Sequence, residues 1–390
     1  MKQGIIFNDP IEEIKSEIYY TRGNIVTAHI SDLHFPVMDS KIQYEILEDQ
    51  FISKLINMPW LDIICINGDL FDHKVTTSSD ATLYASMFVS RLVDIAKMKN
   101  ATLIILQGTI SHDANQLKIY YHYMQRSDVD VRIVTTVQFQ YVKNTKILCI
   151  PELYGFPEEE YQKYLFYSGP YDFAIMHGTI KGAVYGDNVG QGRLFTIDDF
   201  INCRGPIISG HVHKPGVFSD HFYYCGSPYR WRFDDDHFKG FILMMMNLDT
   251  REYITDYEEI TSFVYRTITM KQLVSNDPKD TVQYIRDLKF KEGIDFIKIK
   301  FINEVSLSDK MILNNVFRDD NSVTLEYKTI EEKIKQETEQ NVLNDQTQFS
   351  FLVDPNYTDQ QKFVMWVNYL KHDETFMTVE QLEQMLTEEV

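Results

Sequence analysis

Five short apolar runs in this chain each end in aspartate or histidine, and that recurrence constrains the fold more than any other feature. Asp32-Leu33-His34 follows Ile25–Ile30, and Gly68-Asp69-Leu70-Phe71-Asp72 follows Leu61–Ile66. Gly108-Thr109-Ile110-Ser111-His112-Asp113 follows Ala101–Leu106. Met176-His177-Gly178 ends Asp172–Met176, and Ser209-Gly210-His211-Val212-His213 ends Pro206–Ser209. Runs this short and this apolar suit strands buried on both faces. Ile42–Met58 and Leu83–Met98, between them, have helical spacing. Strand–helix alternation of this kind predicts an α/β fold, in which ligand sites lie at the carboxyl ends of strands. Any one cluster alone suits a turn, a helix cap or a satisfied core histidine. Independent turns have no reason to share one Asp/His vocabulary, so the five together predict a polar cluster at one sheet edge. Carboxylate and imidazole in combination suit Mn, Fe or Zn better than Mg alone or a thiolate site. The glycines let the backbone turn sharply there.

Further strands are expected at Val131–Thr135, Lys146–Ile150, Phe222–Cys225, Phe241–Met246 and Glu252–Tyr257. The last three have no long helices between them, which predicts an α/β sandwich whose second half is richer in antiparallel strands. From Phe263 the pattern becomes strand 263–270, helix 280–288, strand 296–301, helix 307–317 and strand 323–327, a small separate α+β unit. With 390 residues more than one domain is expected. The reading is an extension over 1–23, a main domain over 24–262, the small domain over 263–330, a Glu/Gln/Asn-rich linker over 331–350 and a helical segment over 351–390. Two helices there carry capping-box spacing at Thr358–Gln361 and Thr378–Gln381. Their apolar stripes, Phe363, Trp366, Val367 and Leu370, then Val379, Leu382, Met385 and Leu386, suit docking on a partner coiled coil or on their own domain.

The net charge of −19 argues against a nucleic-acid binder when taken over the whole chain. Residues 331–390 hold 4 basic and 13 acidic residues, nearly half of that excess, so a local basic groove elsewhere stays open. Lys181, Arg193, Arg204, Lys214, Arg230, Arg232 and Lys239 gather near the last motif, with Tyr229 and Trp231 interleaved. Such a set can grip phosphates and stack on an unpaired base, with Arg230, Arg232 and Lys214 as the candidates for DNA contact. Each alone also suits a solvated surface. The glycine-rich stretch 181–192 reads as a surface loop beside the site. Four scattered cysteines without CxxC spacing fit a reducing compartment. Charges at Glu12, Glu13, Lys15 and Glu17 interrupt the N-terminal stretch, so no signal peptide is expected there. No apolar run reaches membrane-spanning length, and a cytoplasmic chain without membrane contact is expected. GxxxxGK[ST] does not occur, so any ATP hydrolysis would come from another polypeptide.

In order, the motifs resemble those of the calcineurin-like metallophosphoesterase superfamily, DxH, GDxxD, GNH(D/E), H and GHxH, over Asn24 to about Tyr257. Gly226-Ser227-Pro228, Phe233-Asp234-Asp235 and Lys239-Gly240-Phe241 look like the matching segment of SbcD-type DNA repair exonucleases. The resemblance implies a metallophosphoesterase β-sandwich flanked by helices, a capping domain over 263–330 and a C-terminal segment that binds an SbcC-like SMC/ABC ATPase. It implies two divalent metal ions, Mn2+ before Mg2+. Asp32, His34, Asp69 and His213 would hold one, and Asp69, His177 and His211 the other, with Asp69 bridging. His112 would contact the phosphate and help the leaving oxygen depart, oriented by Asp113. The activity implied is a Mn-dependent DNA nuclease: double-strand exonuclease and single-strand endonuclease, working as a homodimer in the cytoplasm, or the host cytoplasm for a phage-encoded chain. One departure stands out. The asparagine expected before His112 is replaced by Ser111, with two extra residues after Gly108, so Ser111 or a water would fill that ligand position. Two other readings stay open: a metallophosphatase or cyclic phosphodiesterase on small substrates, and a weakly catalytic scaffold that binds DNA ends.

Overall fold

The computed structural model describes residues 23–183, 192–233, 237–320 and 322–328. The expected N-terminal extension (apart from Gly23), most of the glycine-rich loop, Asp234 and Asp235, the linker and the two C-terminal helices lie outside the described residues. The chain is an α/β protein with mixed sheets.

Strands β1 (Asn24–Ile30), β2 (Ile63–Asn67), β3 (Thr102–Leu106) and β4 (Asp130–Val134) run parallel as neighbours. β5 (Gln138–Val142) and β6 (Thr145–Ile150) form a hairpin, turned at Lys143 and Asn144, both with positive φ. β7 (Phe173–His177), the short pair β8 (Thr179–Ile180) and β9 (Leu194–Phe195), β10 (Ile207–Gly210), β11 (Gly216–Ser219) and β12 (Phe222–Tyr224) follow. β13 (Gly240–Asn247) and β14 (Tyr253–Glu259) complete two six-stranded sheets. Their orders are β14-β13-β1-β2-β3-β4 and β11-β12-β10-β7-β6-β5.

The period-2 alternation of strands explains why these runs are apolar throughout. Val26, Ala28 and Ile30 of β1 turn outward onto Phe51, Leu55, Phe88 and Leu92 of the covering helices. Ile25 turns the other way, into a core shared with Ile63, Cys65 and Ile104 of the first sheet and Ile147, Cys149, Phe173 and Ile208 of the second. The far face of the second sheet packs Leu148, Ala174 and Met176 on Tyr161, Leu165 and Phe200. The layers are therefore helix, sheet, sheet, helix. The helix expected at Ile42–Met58 runs from Ser40 to Asn57 with a π turn at Leu47–Ile52, and Asp39 caps it. The helix Asp80–Lys99 is capped by Ser79 and ended by Asn100 in the left-handed conformation.

The second half is richer in antiparallel strands, as expected, with β11–β12, β13–β1 and β13–β14 all antiparallel, but the middle of the second sheet is parallel. β6–β7, β7–β10 and β10–β12 are parallel pairs. Few helices occur after β10 because β13 returns to the first sheet and pairs antiparallel with β1, with β14 beside it. β5 and β11, not expected from the sequence, are edge strands; Gln138-Phe-Gln-Tyr alternates polar and aromatic and stays half-exposed. Beyond the sandwich, β15 (Tyr265–Met270), β16 (Phe296–Phe301) and β17 (Val323–Tyr327) form a sheet in that order. The helices Pro278–Glu292 and Leu307–Val316 connect them. By compactness the described residues divide into two units: the larger holds both six-stranded sheets, and the smaller takes 268–284, 299–320 and 324–328.

Candidate metal centre

The carboxyl ends of β1, β2 and β3, neighbours in one sheet, meet those of β10, β7 and β6, neighbours in the other. The cluster thus belongs to the shared rim of two sheets and not, as strand–helix alternation suggested, to the edge of one. Its backbone is strained where the side chains must converge. Asp32, His34, Asp69 and His211 have φ of 53, 50, 52 and 80°. Such conformations cost of order 1–3 kcal/mol each and persist only when surrounding bonds over-determine them. Here Asp32 N donates to Gly68 O at 3.0 Å, His34 N to Asp69 O at 3.0 Å, and His211 N to Asp32 Oδ1 at 3.0 Å. Two glycines are required by close approach. A Cβ on Gly68 would sit 2.3 Å from His177 Nδ1, and one on Gly108 would sit 2.2 Å from Asp69 N.

Among the described residues, three groups of side chains offer atoms within 4.8 Å of one another: Asp32, His34 and His213; His34, Asp69 and His112; Asp69, His177 and His211. Asp69 is central. Its Oδ2 lies 3.2 Å from His177 Nε2, 3.0 Å from His112 Nδ1 and 3.8 Å from His34 Nε2. His34 Nε2 and His213 Nε2 are 3.1 Å apart, and His213 Nε2 is 3.7 Å from Asp32 Oδ1. The His177 ring is fixed from behind, since Nδ1 donates to Asn67 O at 2.8 Å and leaves Nε2 aimed at the cluster. Asn67 also ties the sheets together, donating from Nδ2 to Ile208 O at 2.9 Å.

Burial opposes ionisation of Asp69, yet the His177 charge and the His112 imidazole beside it hold its carboxyl well below the usual carboxylate range. Burial would likewise lower His177, but Asp69 lifts it to about 10. His213 moves the other way, down to about 4, chiefly through burial. Hydrogen bonding to His34 holds Asp72 down to about 2. The pocket therefore sets ionised Asp69 and Asp72 beside a charged His177 and a neutral His213. The donor set passes a test of fit. The buried ring nitrogens His34 Nδ1, His112 Nδ1 and His177 Nε2 face carboxylate oxygens, Asp72 Oδ1 at 3.4 Å and Asp69 Oδ2 at 3.0 and 3.2 Å, so imidazole and carboxylate donors stand together as a borderline divalent ion requires. Buried His and Asp groups here can hold a metal ion.

No family model matches the chain, and no curated protein matches it. Among solved structures, one described only as a crystal structure is similar at 10% identity and a TM-score of 0.36, covering 61% of this chain and 100% of that one. The crystal structure of the protein of unknown function AQ665 from Aquifex aeolicus is similar at 17% identity and a TM-score of 0.23, covering 44% of this chain and 88% of that one. Likenesses this weak carry no argument about fold or chemistry.

The structure brings together Asp32, His34, Asp69, His112, His177, His211 and His213. It separates two residues from the roles expected of them. Ser111 is exposed, because residues 110–113 form one helical turn that carries its side chain outward. Thr109 takes the inward position instead: its N donates to Asp69 Oδ1 at 2.6 Å, and its Oγ1 lies 3.1 Å from both Asp69 Oδ2 and Glu152 Oε2. Asp113 does not orient His112. Its two oxygens accept from Phe71 N at 3.1 Å and Gly108 N at 2.8 Å, tying the second motif to the third. Burial, with the charge of Asp69, raises the Asp113 carboxyl to about 6.

The basic residues also sort differently. Lys214 and Arg232 are exposed beside the cluster. The Arg230 guanidinium donates to His237 O at 3.3 Å. Arg193 is held by Glu158 and Asp199. Lys239 is buried, donating to His213 O at 3.1 Å and Ser227 Oγ at 2.7 Å, so it supports the His213 loop from below. Tyr229 is buried and bonds Leu33 O and Gln43, which excludes it from base stacking. The Trp231 ring packs edge-on against His34 and His213 at 5.6 and 5.1 Å. Sequence reading missed Glu152, buried among His177, His211 and Thr109. The signal was present: Pro151-Glu152 follows the apolar run Lys146–Ile150 as the other clusters follow theirs.

Proposed function

We propose that this chain is a divalent-metal-dependent phosphodiesterase acting on DNA, of the SbcD type within the calcineurin-like metallophosphoesterases. One observation carries this reading: six strand ends from two sheets deliver Asp, His and Glu to one rim, with Asp69 shared between the two halves of the cluster. Asp32, His34, Asp69 and His213 would hold one ion, and Asp69, His177 and His211 the other, with Mn2+ the best match to mixed carboxylate and imidazole donors. Two such ions supply charge that stabilises both the attacking and the leaving oxygen of a phosphodiester displacement. The remaining steps fall to this chain's own groups. His112 is 26% exposed, so its imidazole can reach a phosphate lying across the rim. Burial disfavours its charged form, but Asp69 raises its pKa, which suits it to deliver a proton to the departing oxygen. Lys214 and Arg232, exposed and next in sequence to His213 and Trp231, would hold flanking phosphates of a nucleic acid strand. The acidic balance of the chain makes such contact local. By the same resemblance the protein would work as a cytoplasmic homodimer with an SMC-like ATPase docked on residues 351–390.

Purified full chain, incubated with end-labelled duplex and single-stranded DNA and Mn2+, should release nucleotides or nick, and Asp69→Asn should abolish this. A chain that cleaves a chromogenic phosphodiester well but leaves DNA intact would refute the DNA assignment while leaving the metal-dependent chemistry in place.

A further inference from the structure

We propose that Glu152 is itself a metal ligand, completing with Asp69, His177 and His211 the half of the centre that lacks the expected asparagine. The inference rests on the metal-centre reading above and deepens it. Glu152 is 4% exposed and projects from the end of β6, the sixth strand to reach the rim. Its Oε2 lies 3.2 Å from His211 Nδ1 and 3.9 Å from His177 Nε2. His177 Nε2 is buried and also faces Asp69 Oδ2 at 3.2 Å. Two buried carboxylate oxygens, Asp69 Oδ2 and Glu152 Oε2, thus converge on the same buried nitrogen.

Thr109 sharpens the point. Its hydroxyl lies 3.1 Å from each of those oxygens but has one proton to give. At any moment one carboxylate oxygen beside it goes without that bond. Two anions buried this close repel unless a cation sits between them, a place that protonated His177 takes without metal and yields to a bound ion. A divalent ion held by Asp69, Glu152, His177 and His211 meets that requirement and takes up the lone pair of His177 Nε2. The set contains two carboxylates where the expected pattern offers one carboxylate and a neutral amide. Thr109, too short to ligate as asparagine would, then positions both carboxylates. A harder, more anionic site of this kind favours Mn2+ or Mg2+ over softer ions.

The test is Mn2+ binding by the full chain, measured by calorimetric titration and by the electron paramagnetic resonance of the Mn pair, for wild type, Glu152→Gln and Glu152→Asp. Glu152→Gln keeps the shape and the hydrogen-bond acceptor but removes the charge. Wild type is expected to bind two ions with a spin-coupled signal. Glu152→Gln is expected to weaken one site by more than about 100-fold, beyond the 10–100-fold typical of a group that only supports a ligand, and to lose the coupled signal. Glu152→Asp should recover part of the affinity. Thermal unfolding in chelator should show Glu152→Gln at least as stable as wild type, which separates ligand loss from misfolding. Two ions bound with unchanged affinity and coupling in Glu152→Gln would overturn the proposal, as would an equal loss at both sites or a wild type that binds no ion. Loss of one site in a chain that never cleaves DNA would support the ligand and refute the nuclease. Unchanged binding in a chain that does cleave DNA would refute the ligand alone.

Discussion

Gly68→Ala is the sharpest probe of how this rim is built, because its effect can be worked out against a matched control. Gly68 and Gly155 both have positive φ, +93° and +68°, so alanine is strained at either. That strain alone is worth about 1–2 kcal/mol. At Gly155 nothing lies within 4 Å of the added Cβ. At Gly68 the Cβ meets His177 Nδ1 at 2.3 Å and the backbone Cα of Gly108 at 2.8 Å. The ring must move, and its 2.8 Å bond to Asn67 O is lost. An unpaired buried carbonyl and ring nitrogen add about 1–3 kcal/mol, and overpacking against backbone adds about 1–3 kcal/mol more. Gly68→Ala should therefore cost about 3–8 kcal/mol against about 1–2 for Gly155→Ala. At roughly 2–4 °C per kcal/mol for a unit of this size, thermal unfolding in chelator should fall several times further for the first variant. Mn2+ affinity should fall with it, since His177 Nε2 no longer points at Asp69, and should hold in Gly155→Ala. Equal shifts in the two variants, or wild-type Mn2+ binding by Gly68→Ala, would refute the claim that this glycine exists to admit His177.

Four further outcomes are expected. Burial holds the His29 imidazole down to about 3, its hydrogen bond to Asn67 notwithstanding. A group that the fold keeps neutral binds its proton only in the unfolded chain between about pH 6.5 and 3, so stability should drop on acidification through that window by up to about 1.4 kcal/mol per pH unit; urea titrations of His29→Phe should show a correspondingly shallower slope. Lys239→Met removes one of the donors to His213 O and the donor to Ser227 Oγ, and calorimetry should show Mn2+ affinity lowered about 10–100-fold. Ser111→Ala, altering an exposed side chain, should leave Mn2+ binding and DNA cleavage at wild-type levels, and a tenfold loss of either would restore Ser111 as a ligand. Mn2+ at 100 times its dissociation constant should stabilise the folded chain by about 2.7 kcal/mol, a gain that EDTA removes in a thermal shift assay.

The site residues that spacing could reveal were those carried by a repeated local rule. Asp32, His34, Asp69, His177, His211 and His213 each stand within a few residues of an apolar strand end, and a strand's end is a local property of the chain. The misses follow from what is not local. Ser111 and Thr109 lie two residues apart on a turn, and only the helical twist of 110–113 decides which one faces Asp69. Asp113 was expected to pair with its neighbour His112, whereas the nearest backbone donors are those of Gly108 and of Phe71, 42 residues away. Lys239 reads as a surface cation by composition and is buried because the carbonyl of His213 and the hydroxyl of Ser227 satisfy it.

The larger division follows the same physics. Period and apolarity, which depend on near neighbours, determined from sequence alone that β1, β2, β3, β7 and β10 are buried strands and that their ends carry the polar groups. Which sheet each strand joins depends on contacts across more than 200 residues, such as β13 with β1, and these leave no local trace. Only the tertiary structure therefore showed that two sheets share the rim, and that sharing is what brings a sixth strand end, and with it Glu152, to within 3.2 Å of His211.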